Sequence, residues 1–312
     1  MAETPDLVLR AASRLARPEG TPPPAEDRAG FARPKPQSRV AAQAQPLAPV
    51  SESVSEQKNL TPATPPARSV VLSQAMLAAS GIALPSAGFS RQVEEFRSIK
   101  RQVLASILRG VSSDGANRRL MVTSAVPAEG KTHVSINLAL AIAGERDYSV
   151  LLVDADAHRQ SLVSRLGINA DKGWLDTLTD DSIKPSDVII GTNIPNLTIL
   201  PAGKVRAEIP ELMSSRKMAD MLRQLVAENP NRLVIFDSLP CLVSSEPSIL
   251  VSHVGQVLFV VAVSETSKTE IESSLRLLEG CPSINLILNK GDPLLIDQFG
   301  KYGYGYGYQN KG

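Results

Sequence analysis

Aromatic residues make up only 4% of this 312-residue chain, and before residue 86 there is just one, Phe31. That stretch also holds more than half of the 23 prolines. With so few large apolar side chains it cannot bury enough area to offset its ordering entropy, which predicts a disordered Pro/Ala-rich region over 1–85. Deleting residues 1 to about 70 is then expected to leave stability unchanged. Cysteine is nearly absent too. Cys241 and Cys281 lack metal-ligand spacing and sit in apolar surroundings, so they read as buried, reduced thiols. Apolar runs such as Val257 to Val263 fall far below the roughly 20 residues that cross a bilayer, and no signal peptide is visible at the start. The net charge of +1 excludes a general drive toward nucleic acid or anionic membrane. The expected location is cytoplasmic.

What is present is concentrated after residue 86. Gln92 to Leu108 repeats apolar residues at helical spacing, which predicts an amphipathic helix. Short apolar runs at 120–123, 150–153, 197–200, 233–236, 257–263 and 285–288 predict buried strands. Helical patterns lie between them at 136–143, 161–166, 211–228 and 270–278. The alternation predicts an α/β fold, a mostly parallel sheet flanked by helices, over 86–296.

The segment Ala125-Val-Pro-Ala-Glu-Gly-Lys-Thr132 fits the P-loop pattern with alanine in place of the first glycine, between a strand and a helix. Its backbone N–H groups, from Ala128 and Glu129 through Gly130 to His133, would cradle phosphates at a helix N-terminus. The His133 side chain reads as a helix-face residue. Lys131 supplies a point charge to the β and γ phosphates, and Thr132 a hydroxyl for Mg²⁺. Asp154 and Asp156 end one predicted strand and Asp237 another, at the edge where open parallel sheets bind ligands. A third strand ends at Asn289, in position to touch the base of a bound nucleotide. Behind the domain comes Tyr302-Gly-Tyr-Gly-Tyr-Gly-Tyr308, four of the five tyrosines. This 297–312 tail cannot be a core strand, and its glycines keep the backbone mobile enough to present each phenol in turn.

The P-loop, the Asp-x-Asp strand end and the Asp237 strand end, in this order, resemble the Walker A, A′ and B motifs of bacterial tyrosine kinases. Further agreements are Glu94-Glu-Phe-Arg97-Ser-Ile-Lys100, Leu200-Pro-Ala-Gly203, Glu211-Leu-Met and Gly255-Gln-Val. The chain is most similar to the stand-alone tyrosine autokinases that accompany exopolysaccharide synthesis, in particular those of the exosortase XrtA system. The resemblance implies ATP and Mg²⁺ as cofactors and autophosphorylation at Tyr302, Tyr304, Tyr306 and Tyr308. It implies Asp156 and Asp237 at the metal with Thr132, and Asp154 accepting or orienting the phenolic proton, although spacing does not decide which aspartate is the base. It also implies a homo-oligomer contacted through Glu94, Arg97 and Lys100. The implied partners are a membrane polysaccharide co-polymerase as activator, recruiting the chain to the inner face of the membrane, and a cognate tyrosine phosphatase; no nucleic acid is expected. Departures are Ala128 for glycine, His158 for arginine, Leu239 for proline, and Lys100 for the last arginine of the oligomerisation motif.

Three other readings compete. A partitioning ATPase of the same superfamily would carry an additional lysine near the loop's start, which Ser124-Ala-Val-Pro-Ala lacks. A GTPase would use Asn289-Lys-Gly-Asp292 to read guanine. A nucleotide-sensing scaffold of a polysaccharide export complex would not need the intact lysine and aspartates.

Overall fold

The computed structural model describes residues 66, 68–82, 90–110, 112 and 114–291. In chain order these form β1 (Arg68–Val70), α1 (Gln74–Ala79), α2 (Arg91–Arg109), β2 (Arg119–Ser124), α3 (Lys131–Ala143), β3 (Ser149–Asp154), α4 (Ser161–Arg165), α5 (Trp174–Thr179), α6 (Pro185–Val188), β4 (Ile190–Thr192) and β5 (Leu197–Leu200). Then come α7 (Ile209–Met213), α8 (Arg216–Ala227), β6 (Arg232–Asp237), α9 (Glu246–Leu250), β7 (Gln256–Ala262), α10 (Lys268–Leu277) and β8 (Ile284–Asn289). The strands make one sheet in the order β1-β4-β5-β3-β6-β2-β7-β8, parallel except between β4 and β5. The expected mostly parallel α/β fold is therefore present. The tail with Tyr302, Tyr304, Tyr306 and Tyr308 lies outside the described residues.

Both faces of the sheet are covered, which is why its central strands read as unbroken apolar runs. Along β2, Leu120 and Val122 join one apolar cluster and Met121 the other, and β3, β6 and β7 alternate in the same way. Helix α3 is buried nearly all round because it lies between the sheet and α2. Helix α2 begins at Ser90, whose hydroxyl accepts a hydrogen bond from the Val93 N–H at 3.2 Å, and it buries Val93, Phe96, Val103 and Ile107.

Two expectations change. The folded unit begins well before residue 86, because β1 pairs in parallel with β4, and Leu72, Leu77 and Ile82 enter the core. A cut at residue 70 would remove that strand. The helix expected over 211–228 is two helices, since Ser215 is extended and its hydroxyl accepts from the Met218 N–H at 3.1 Å, starting α8 afresh. Cys241 is buried as expected, whereas Cys281 is only half-buried. No helix among the described residues is long and apolar enough to cross a membrane.

Candidate active site

The strand order assembles the site. β3, β6 and β2 are neighbours, and Asp154 at the end of β3 stands in register with Asp237 at the end of β6. The P-loop leaves the end of β2 beside them. After β6 the chain runs along the loop's base, with the Cys241 and Leu242 N–H groups donating to the carbonyls of Ser124 and Ala125 at 2.8 and 3.1 Å.

The loop is braced from two later strands. Glu129 turns its carboxylate inward, accepting from the Val126 N–H at 2.7 Å and from the Thr266 hydroxyl just after β7. Asn289, at the end of β8, donates its amide to the Glu129 carbonyl at 2.8 Å. That bond engages the Asn289 amide N–H₂ with the loop and offers no support for guanine reading. Ala128 has a φ of 67°, the left-handed region. An alanine there costs about 1–2 kcal/mol, which accounts for glycine in the usual pattern. Gly130 has a φ of 100°, and a Cβ on it would lie 2.0 Å from the Asn289 amide nitrogen. Gly130→Ala is therefore expected to lower stability by about 1–2 kcal/mol and weaken nucleotide binding at least tenfold. Adding Asn289→Ala should restore part of the loss, as a double-mutant cycle in denaturant would show. Wild-type nucleotide affinity in Gly130→Ala would mean that the loop does not depend on this packing.

Lys131, the cation of the loop, is 9% exposed. Burial pulls its ammonium below the usual value, while Asp237, Asp156 and Glu129 counteract and Arg159 adds to the depression. Asp237 is buried, hydrogen-bonded by the Thr132 hydroxyl, and 3.0 Å from the Ser135 hydroxyl. Burial pushes it up to about 6 despite those bonds and Lys131. Asp154 is fully buried, and burial together with the Asp237 charge pushes it up to about 8. Asp156 accepts the Arg159 N–H at 3.1 Å.

The raised Asp154 has a consequence for folding. Unfolded, an aspartate ionises near 3.8; folded, this one holds its proton to about 8. Stability in the nucleotide-free protein should thus fall as pH rises from about 4 to about 8 and level off above, at up to about 1.4 kcal/mol per pH unit. Asp154→Asn removes this cost. We expect it to stabilise the free protein at pH 7 by a few kcal/mol, with a gap that narrows toward pH 5 in urea denaturation. A gap independent of pH would contradict the cause.

Other expected residues are distributed differently. Glu94 and Arg97 pair with each other on the outer face of α2, and Lys100 pairs with Glu145 of its own chain. His133 faces α2, its Nε2 3.0 Å from the Gln92 amide and its ring 6.1 Å from Phe96. Three contributors have no motif of their own: Ser135, Thr266 and Trp174. The Trp174 indole N–H donates to the Asp154 carbonyl at 2.9 Å, fixing the strand end that carries the carboxylate. Only Ser135 left a signal, a hydroxyl inside an apolar helical run.

A profile described as an AAA domain matches residues 128–280. Over 234 residues, 73% of this chain and 100% of the relative, the sequence is 26% identical to the tyrosine-protein kinase CpsD of Streptococcus pneumoniae. Over 230 residues, 70% of this chain, it is 29% identical to the putative tyrosine-protein kinase EpsB of Ralstonia nicotianae, but the match spans only 29% of that longer protein. The kinase domain of the Escherichia coli tyrosine kinase ETK superposes with a TM-score of 0.56 at 27% identity, covering 70% of this chain and 80% of that one. In fold, P-loop and sequence together the chain is thus similar to bacterial tyrosine-protein kinases.

Proposed function

We propose that this chain is an ATP-dependent tyrosine autokinase that phosphorylates Tyr302, Tyr304, Tyr306 and Tyr308 and so regulates exopolysaccharide synthesis or export. The observation that carries this reading is the gathering of Lys131, Asp154, Asp156 and Asp237, all buried, at one P-loop. Phosphoryl transfer asks a protein mainly for positioning and charge neutralisation, which such a cluster supplies.

The donors fit Mg²⁺. Thr132, Asp156 and Asp237 offer hard oxygen ligands, and among the described residues no three His, Cys, Asp or Glu close around a metal. Bound by these oxygens, such an ion would neutralise charge on the phosphates. Lys131 holds the β and γ phosphates against the loop. Asp154 takes or orients the phenolic proton, and a carboxyl near 8 is matched to a base working close to neutral pH. The phenolic oxygen forms a bond to the γ phosphorus as the bond to the β–γ bridging oxygen breaks, and its electron pair leaves with ADP.

Transfer runs in trans within a homo-oligomer, with Glu94, Arg97 and Lys100 of α2 at the contact. Chain length alone allows either route. Gly291 to Tyr302 is 11 residues, or up to ~36 Å at ~3.3 Å each. The end of β8 lies three strand positions from β6, ~14 Å at ~4.8 Å each. Four phosphotyrosines would carry roughly −6 to −8 charges, repelling the tail from an aspartate-lined site and loosening the assembly. A membrane polysaccharide co-polymerase recruits and activates the chain, and a tyrosine phosphatase resets it. Intact-mass spectrometry with Mg-ATP should show serial phosphate additions confined to the tail; an ATPase or scaffold would show none. Label on a Lys131→Met chain mixed with a tail-less active chain marks transfer in trans, and concentration-independent self-labelling marks cis.

A further inference from the structure

The sheet ends on a strand with one side open. Among the described residues β8 pairs only with β7, so the N–H and C=O groups along its other edge meet no strand. Folded proteins cover such an edge, often with a helix or loop, because it would otherwise template pairing with another chain. Beside it runs a groove of about 710 Å³ between β8 and α2. Its apolar wall is Phe96, Ile99 and Val103, one helical stripe of α2, together with Leu258, Ile287 and Leu288 of the last two strands. Leu288 is 55% exposed. Asn289 closes the end that meets the nucleotide loop, and from there the groove extends away along β8 to Asn285.

We propose that this groove is filled by the chain's own next segment, Asp292 to Phe299, docked as a short helix. The chain leaves β8 inside the groove: Lys290 and Gly291 line it, and Lys290 has a φ of 58°, a left-handed turn. Asp292 follows directly, so occupant and seat meet at the high effective concentration of a short tether, ahead of any second copy of the chain. The sequence Asp292-Pro-Leu-Leu-Ile-Asp-Gln-Phe-Gly300 carries the start and stop signals of a helix: aspartate at the N-cap, proline in the first position, glycine after the last. At helical spacing Leu295, Ile296 and Phe299 share one face and Asp297 takes the opposite one. Those three side chains meet the apolar wall of α2 and β8. Docking also sets where the tyrosines start, a consequence that rests on the kinase reading above. A helix entering at Asp292 runs back along β8 for ~10 Å at ~1.5 Å per residue, away from the phosphate loop. Tyr302 lies two residues beyond Gly300, a reach of ~7 Å at ~3.3 Å each, whereas Tyr308 lies eight beyond it, ~26 Å. Tyr302 is thereby held back from phosphoryl transfer and the distal tyrosines are offered first.

The test places benzoyl-phenylalanine in the full chain in place of Phe299. It should photo-cross-link within the same polypeptide to residues 96–103 of α2 or 285–288 of β8. Cross-links between two chains, or to other residues, would overturn the docking. Leu295→Asp combined with Phe299→Asp alters none of the described residues and should speed amide hydrogen exchange across β8 at least tenfold; unchanged exchange would overturn the docking as well. With Mg-ATP, Tyr308 should be labelled at least tenfold faster than Tyr302 in the wild-type chain, and the double substitution should raise the Tyr302 rate at least fivefold. Equal rates for the two tyrosines in both proteins would overturn the restraint on Tyr302. Cross-linking and exchange need no turnover, so the two readings fail separately. A chain that binds nucleotide and labels no tyrosine sinks the kinase reading, while the intrachain cross-link would still place the segment in the groove.

Discussion

Lys131→Met is expected to cut tail phosphorylation by about 10³-fold or more, on the scale of removing a principal charge-stabilising donor from a transfer site. The side chain is buried among three carboxylates, Asp237, Asp156 and Glu129. Its loss therefore also takes away the cation that holds Asp237 down toward the usual carboxylate range. Without it the folded-state pKa of Asp237 rises further, while the unfolded value does not move. The variant should consequently be close to wild type in stability at pH 5, where the aspartate can stay protonated, and increasingly less stable toward pH 8. Tail labelling by mass spectrometry and urea denaturation at the two pH values check both halves. Wild-type phosphate incorporation would sink the site assignment, and a stability loss that is equal at pH 5 and pH 8 would sink the electrostatic account.

Removing residues 1–82 should abolish folding, whereas removing 1–65 should leave a cooperative domain. The difference is the strap 68–82. Leu72, Leu77 and Ile82 are 2%, 2% and 4% exposed in the core. At about 1.5–3 kcal/mol each, their loss comes to roughly 5–9 kcal/mol as an upper estimate. That is comparable with the whole stability of an ordinary domain, about 5–15 kcal/mol. The cut also bares the edge of β4 and removes bonds that tie the strap down, among them Arg68 to the Asn169 carbonyl at 2.7 Å and the Leu72 N–H to the Asn193 side chain at 2.8 Å. Denaturation of both truncations decides it. A folded 83–312 chain of normal stability would show that the strap is dispensable.

Much of this molecule was legible residue by residue. The central strands, the loop from Ala125 to Thr132, and the aspartates at two strand ends follow from local chemistry: apolar runs buried on both faces, a glycine at a helix start, a carboxylate where a strand stops. Strand β1 was not legible. It has three residues, Arg68 to Val70, and exists only because β4 is there to pair with it. Nor was the neighbour relation of β3, β6 and β2, which sets Asp154 against Asp237, because hydrogen bonding between strands carries no mark in either strand. The bonds that shape the loop join residues far apart in the chain: Ser135 and Asp237 are 102 positions apart, Glu129 and Thr266 137, Glu129 and Asn289 160. The displaced acidities of Asp154 and Asp237 belong to the same class. A carboxylate's pKa reports how much water and charge surround it, and that is a property of the packed site. Short-range pattern was enough for the identity of the nucleotide loop; which side chains face one another across it came only with the closing of the sheet.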